Sequence, residues 1–268
     1  MRDTTRPLPF GPAARAVFDL SLDGMVFSRR SLLMALLVAA PVVVAVLYRV
    51  LAAAREVHLV GPADLYAFLV AIVWVRNLLP LAALFYATSL VADEVEGRTL
   101  SYLLTRPITR ASIMAGKFAA YLATTFTLAL PAAVVTFFVL MTGPTAPALG
   151  PAAAEMLRDL GVMLLALVAY GALFALLGVL LKRPVIPGLV FLYGWELLAN
   201  LPGYLPRLTL TAWLRSLIHH RPAEEGFAGL FQQVLPGDQA LVVLLGVSLV
   251  LLAAAAWIFS RREYVLEQ

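Results

Sequence analysis

Leu65-Tyr66-Ala67-Phe68-Leu69-Val70-Ala71-Ile72-Val73-Trp74-Val75-Arg76-Asn77-Leu78-Leu79-Pro80-Leu81-Ala82-Ala83-Leu84-Phe85-Tyr86-Ala87-Thr88-Ser89-Leu90-Val91 is an apolar run interrupted by one charge, Arg76. At about 1.5 Å of rise per helical residue it outruns the roughly 30 Å of hydrocarbon in a bilayer, whereas a buried strand or an ordinary core helix is shorter. Working outward, five more windows have the same character: 32–51, 113–141, 157–181, 185–205 and 240–260. The window 185–205 is the weakest, because Glu196, Asn200 and Pro202 interrupt it and Pro206 follows, so its outer end is expected to be broken. The composition agrees. Hydrophobic residues make up 62% of the 268 and charged residues 13%, and the mean hydropathy is +0.90. No single core hides that much apolar surface from water, so the bilayer is the expected solvent. The absence of cysteine excludes disulfide frameworks, Fe–S clusters and thiolate metal sites.

The expected fold is therefore an all-α polytopic membrane protein with six transmembrane helices. Lysine and arginine set its orientation. With the N-terminus inside, thirteen basic residues fall on the cytoplasmic side and six outside (Arg49, Arg55, Arg158, Arg207, Arg215 and Arg221), with Arg76 inside a span. That excess favours both termini in the cytoplasm of a cell inner (plasma) membrane. Arg2, Arg6, Arg15, Arg29 and Arg30 precede the first window without an early apolar core, which reads as a retained anchor and not a cleaved signal. Within that leader, Ala14, Val17, Phe18, Leu22 and Met25 share one helical face while Arg15, Asp19 and Asp23 line another, the pattern of an amphipathic interfacial helix or of a helix packed on a partner. Residues 1–31 are thus a cytoplasmic segment, 32–260 a transmembrane domain, and 261–268 a cytoplasmic tail. Residues 142–156, rich in Pro, Gly and Ala, read as an outer loop; 206–238 form a longer outer segment in which 208–219, with Trp213, is expected as a short surface helix.

The connection between the second and third windows, 93–117, carries the functional reading: Asp93-Glu94-Val95-Glu96-Gly97-Arg98-Thr99-Leu100-Ser101-Tyr102-Leu103-Leu104-Thr105-Arg106-Pro107-Ile108-Thr109-Arg110, then Ala111 to Lys117. Leu100, Leu103 and Leu104 would lie on one face of a short helix over 98–105. Gly97 permits the sharp exit from the span, Pro107 stops the helix, and Thr109 or Ser112 can cap the next one. The whole is a stiff elbow offering an apolar edge to a cytoplasmic partner. On Glu94, Gly97, Thr99, Leu100, Leu103, Leu104, Pro107, Thr109, Arg110, Gly116 and Lys117 the chain resembles the ABC type-2 permeases, the membrane subunits of ABC exporters; Arg98, which opens the short helix, joins them in the expected docking elbow. The close match covers about 25 residues; the remainder resembles the family in layout, including the irregular fifth span and the tail Arg261-Arg262-Glu263-Tyr264. The resemblance implies a coupling helix seated in a groove of a nucleotide-binding subunit, and a complex of two permeases, identical or different, with two ATPases. It also implies that spans two and five border the translocation path. The chain itself has no phosphate-binding loop, since Gly116-Lys117 is followed by Phe118 and preceded at the fifth position by Ala111. It is therefore not expected to be an enzyme or to hold a cofactor; ATP and magnesium belong to the partner. Lipid, not nucleic acid, is the other expected contact.

Two charges fall near the midplane, Arg76 in the second window and Glu196 in the fifth, with Asn77 and Asn200 extending a polar stripe. Charges at that depth cost roughly 2.5–3.5 kcal/mol each unless paired or wet. A structural Arg76–Glu196 pair is the preferred reading; residues lining a path are the other. His219, His220 and Glu224 lack a third ligand at a recognised spacing and read as solvent-facing or interfacial. Tyr66, Tyr204, Trp213 and Trp257 read as interfacial anchors, Trp74 and Trp195 as packing. Two rival functions stand beside export: a membrane scaffold that does mechanical work on an envelope partner, and an intramembrane enzyme.

Overall fold

A computed structural model describes residues 9–26, 28–54, 61–90, 109–142, 149–201, 203–218 and 235–261. Among them every regular element is helical. In chain order these are α1 (Phe10–Val26), α2 (Arg29–Ala53), α3 (Pro62–Ala87), α4 (Arg110–Met141), α5 (Leu149–Leu180), α6 (Val185–Tyr193), α7 (Leu210–Leu217) and α8 (Gly237–Arg261), with 3₁₀ turns at Trp195–Asn200 and Leu205–Leu208. Five of them, α2, α3, α4, α5 and α8, are long and apolar enough to cross a membrane. The window at 185–205 yields no full span. Its helix stops at Tyr193, and Val185–Asn200 is apolar but short. Nine helical residues rise about 13 Å, under half the hydrocarbon thickness. The stretch 142–156 is a loop only in part, because α5 already begins at Leu149. Pro151 near its start and Ala152-Ala153-Ala154 after it favour a helix there.

Helix α5 is the most enclosed of the long helices, with Ala166, Leu167, Tyr170, Ala172 and Phe174 fully shielded. Small residues let its neighbours approach closely. A Cβ on Gly171 would overlap the Tyr121 ring of α4, and one on Gly178 would lie 3.1 Å from the Thr88 Cα at the end of α3. Between membrane helices, where lipid is as apolar as leucine, such contact replaces the hydrophobic drive. By contrast α2 and α8 turn Leu32, Leu36, Val43, Val50, Val242, Leu249 and Val250 outward. Exposed leucine and valine along whole helices suit hydrocarbon and not water.

Helix α3 is wound as a π-helix over Leu69–Leu78. Pro80 has no N–H for the carbonyl four residues back, and the Leu79 N–H bonds Trp74 five residues back instead. The wide turn carries Arg76 and Asn77, and the Asn77 amide donates to the Ile72 carbonyl at 2.6 Å.

Helix α1 turns Ala13 and Val17 inward and leaves Arg15 and Asp19 exposed, the faces expected of it. The covered face lies along the start of α4, where a Cβ on Gly116 would overlap the Ala14 carbonyl and come within 2.9 Å of Val17 Cβ. Ser28 caps α2, and the Ser31 hydroxyl, bonded to the Met25 carbonyl, meets the Tyr86 hydroxyl of α3 at 2.6 Å.

Candidate functional site

Of the elbow, Thr109 to Lys117 lie among the described residues; Glu94, Gly97, Arg98, Thr99, Leu100, Leu103, Leu104 and Pro107, and with them the helix expected at 98–105, lie outside them. What is described is its base, which is fastened in four directions. Thr109 caps α4, its side chain accepting from the Ser112 N–H at 3.3 Å. Arg110 donates to the Phe259 and Ser260 carbonyls at 3.1 and 3.0 Å, closing the C-terminal turn of α8 with a cation where the helix dipole is negative. Gly116 receives α1. Lys117 is 6% exposed, and its ammonium donates at 2.5 Å to the Leu90 carbonyl, the last described residue before the elbow. The two stems of the elbow, at 90 and 109–117, are therefore held together by a buried charge-assisted hydrogen bond.

These contacts put the start of α2, the ends of α3, α5 and α8, the beginning of α4 and the flank of α1 at one end of the bundle. Gly188 near the beginning of α6 lies there too, against Leu84 and Phe174. The beginning of α8 lies elsewhere, since a Cβ on Gly237 would sit 3.1 Å from the Ser216 carbonyl in α7.

The second site is the polar stripe. Glu196 and Arg76 do not pair. Glu196, 5% exposed, accepts the Leu210 and Thr211 backbone N–H groups at 3.2 and 3.0 Å, while Thr209 accepts that of Ala212 at 3.3 Å. The first-turn donors of α7 are thus met by a carboxylate at the positive end of a helix, a stable place for a buried anion. Arg76 instead points its Nη1 at Asn200 Oδ1, 3.5 Å away, and Arg215 of α7 donates to the same oxygen at 3.0 Å. Asn77 stays on its own helix. The stripe foreseen in sequence is thus assembled from three elements, but through Asn200 and not through an ion pair.

Several participants were not singled out from sequence. Arg215, counted among the outer arginines, joins Arg76. The Tyr170 hydroxyl meets Thr211 Oγ1 at 2.8 Å, and Tyr66 donates to Asp159, 3% exposed, at 3.1 Å. Tyr66 and Trp213 are accordingly buried within the protein, whereas Trp195, stacked on Phe191, is 45% exposed. Helix α7 is the short helix expected at 208–219, yet Trp213 and Leu214 bury it against α5 and α8 instead of leaving it on the surface. The only signal for any of this was a polar residue inside a window, which gives no partner. His219, His220 and Glu224 lie outside the described residues.

No curated protein matches the chain. The family model described as ABC-2 family transporter protein matches residues 23–264, from the end of α1 to beyond α8, with the elbow and the stripe inside it. The chain belongs to that family and is a multi-pass membrane permease subunit of an ABC transporter.

Proposed function

We propose that this permease is one half of a dimer, homo- or heteromeric, in the inner membrane, and that ATPase subunits holding ATP and magnesium dock on 98–105 and drive export. Closure of the ATPase pair moves the elbow, and the elbow moves α3 and α4. The supporting observation is the fastening of the elbow's base: Lys117 ties its stems to each other, Arg110 ties it to the end of α8, and Gly116 seats it on α1. A lever so held cannot tilt without carrying the helices with it.

The chain crosses six times in this reading, the fifth crossing along α6, the 3₁₀ turns and α7. The elbow, residues 1–31 and the tail 261–268 then share the cytoplasmic side. Supporting this, α8 ends at the elbow end of the bundle and begins away from it, while α6 begins at that end. The non-helical backbone on this route is tolerated where it is packed in protein, as Pro206 and Thr209 are.

The test is recovery of the cognate ATPase with the tagged, membrane-extracted permease. Leu103→Glu and Leu104→Glu should abolish recovery while leaving the permease folded; undiminished recovery overturns the reading. Because the chain has no cysteine, Arg98→Cys gives a single labelling site. It should react with an impermeant maleimide only after the cytoplasmic face is opened.

A further inference from the structure

Three of the helices that meet at the elbow base lose their regular backbone bonding at one height. Pro41 stands inside α2 and Pro131 inside α4, and neither has an N–H for the carbonyl four residues back, that of Leu37 or of Thr127. Helix α3 is π-wound over Leu69–Leu78, with Pro80 just beyond. Contacts near the elbow set these interruptions level. From the Ser31–Tyr86 contact, ten residues lead along α2 (31 to 41) and ten back along α3 (86 to 76), about 15 Å on each path. From the Lys117–Leu90 contact, fourteen lead along α4 (117 to 131) and fourteen back along α3 (90 to 76), about 21 Å on each. Both routes arrive at Arg76, inside the π-turn. Helix α5 runs past this height with no proline after Pro151 in its first turn. The core divides here as well. A far cluster, with Ala45, Tyr66, Leu69, Phe137 and Leu140, is separate from the larger one on the elbow side. The change from elbow-side to far cluster comes between Val38 and Ala45 in α2, between Ala71 and Val70 in α3, and between Ala133 and Phe137 in α4.

We propose that Pro41, the π-turn of α3 and Pro131 form one hinge, about which the far halves of α2, α3 and α4 swing as a body against α5. A helix bends most readily where its bonding ladder is already open, because no hydrogen bond has to break. One such place gives a helix a shape; three at one height, with the packing divided there, give the bundle an axis. On the elbow side the three helices are tied by Ser31 to Tyr86 and by Lys117 to Leu90. On the far side the Tyr66 ring meets the Phe137 ring edge-on at 5.4 Å, and Ala45 of α2 belongs to the same cluster. Each body thus keeps its own contacts while the backbone between them yields. Just past Pro131 the Thr136 hydroxyl donates to the Ala132 carbonyl at 2.7 Å, a contact that further favours bending. Helix α5 is the post that both bodies touch. Tyr66 donates to Asp159 on the far side, and the Thr88 backbone lies against Gly178 on the elbow side. The inference rests on the permease reading for what drives the swing, an ATPase pushing at the elbow; the hinge itself rests on backbone and packing.

Because the chain has no cysteine, pairs of spin labels can be placed without background. The full chain is studied in lipid nanodiscs, without ATPase, by double electron–electron resonance. A far pair joins Leu157→Cys on α5 to Val50→Cys on α2, and an elbow pair joins Leu181→Cys to Leu33→Cys; all four side chains are exposed. A bend of about 20° carries Val50, about 13 Å beyond Pro41, through about 5 Å. The far pair should therefore show a distance distribution about 5 Å broader than the elbow pair. Replacing Pro41, Pro80 and Pro131 together by alanine supplies the missing N–H groups. The far pair should then narrow to the width of the elbow pair, which stays as in the parent. Equal widths in the parent, or a far width undiminished in the triple variant, would overturn the hinge. Pro131 is exposed, so Pro131→Ala alone leaves no void and keeps the test open if the triple variant does not fold. It should narrow a second far pair, Leu157→Cys with Phe138→Cys, because the far halves move together; an unchanged width there overturns the proposal too. With no ATPase in the measurement, a failed hinge leaves the docking reading in place. Undiminished ATPase recovery with Leu103→Glu removes the docking reading while the hinge stands.

Discussion

The elbow base and the Asn200 cluster use the same chemistry, cationic side chains against oxygen, with opposite outcomes. At the base the two cations Lys117 and Arg110 reach backbone carbonyls, that of Leu90 just beyond α3 and those of Phe259 and Ser260 in the last turn of α8. Each such contact satisfies a donor and an acceptor together and joins two helices. At the cluster, two cations share one side-chain oxygen while the neighbouring anion serves a helix start. A cation on a backbone carbonyl fastens one helix to its neighbour; the two on Asn200 draw α3, the turn Trp195–Asn200 and α7 together at one side chain. The acceptor, and not the cation, separates the two: backbone carbonyls at the base, a side-chain amide at the cluster.

The sharpest way to break that contrast is Lys117→Ala. It leaves the Leu90 carbonyl buried without this donor and opens a space beside it, so a loss of about 2–3 kcal/mol is expected, the cost of orphaning a charge-assisted bond. Thermal unfolding in detergent reads the stability, and ATPase recovery should fall as the stems separate. An unchanged Tm would remove Lys117 from the structural class. Gly116→Ala comes next, at about 2 kcal/mol, because the added methyl meets the α1 backbone at Ala14 and not a flexible side-chain tip. With α1 pushed away, trypsin should cut at Arg15 faster in the variant, and equal cutting rates would mean that α1 is not seated there.

Glu196→Gln sharpens the other half. The variant keeps an acceptor at the start of α7 and loses the charge, costing about 1 kcal/mol. Because Glu196 and Arg76 touch different partners, the double variant Arg76→Gln with Glu196→Gln should be additive to within about 0.5 kcal/mol. A larger coupling would restore the direct pair that their charges and depth suggest.

Length and periodicity made most of the fold legible. Five long apolar runs became five long helices, and the alternation of Val17 and Phe18 with Arg15 and Asp19 gave both the existence of α1 and its buried face. What composition leaves open is winding and partnership. The π-turn around Arg76 depends on a missing N–H at Pro80 and on packing, and hydropathy does not register it. Glu196 looks like half of an ion pair in one dimension, because sequence shows that a buried charge needs a partner without showing that the partner is the backbone of a helix fourteen residues on. The start of α5 was missed for a related reason: proline and glycine read as loop, although proline in a first turn suits a helix. Motif spacing sets the expected elbow at 93–117, of which the described part, 109–117, acquires its contacts only when Leu90 and Phe259 are brought beside it.

The smallest expected effect is that of Arg110→Gln, and it tests whether a helix-end cation remains structural when exposed. Among its partners are the Phe259 and Ser260 carbonyls, and the contact to Ser260 is solvent-exposed. Exposed charge contacts contribute little after screening and side-chain ordering are counted, whereas the contact to Phe259, itself 2% exposed, is partly shielded. A global loss below about 1 kcal/mol is therefore expected, with Tm nearly unchanged. The local effect is larger than the global one, because the last turn of α8 loses its cap and frays. Amide hydrogen exchange at 257–261 should accelerate several-fold while exchange at 240–250 stays as in the parent. Acceleration along the whole of α8 would mean that Arg110 holds the helix in the bundle, making this outer fastening as consequential as the buried one at Lys117.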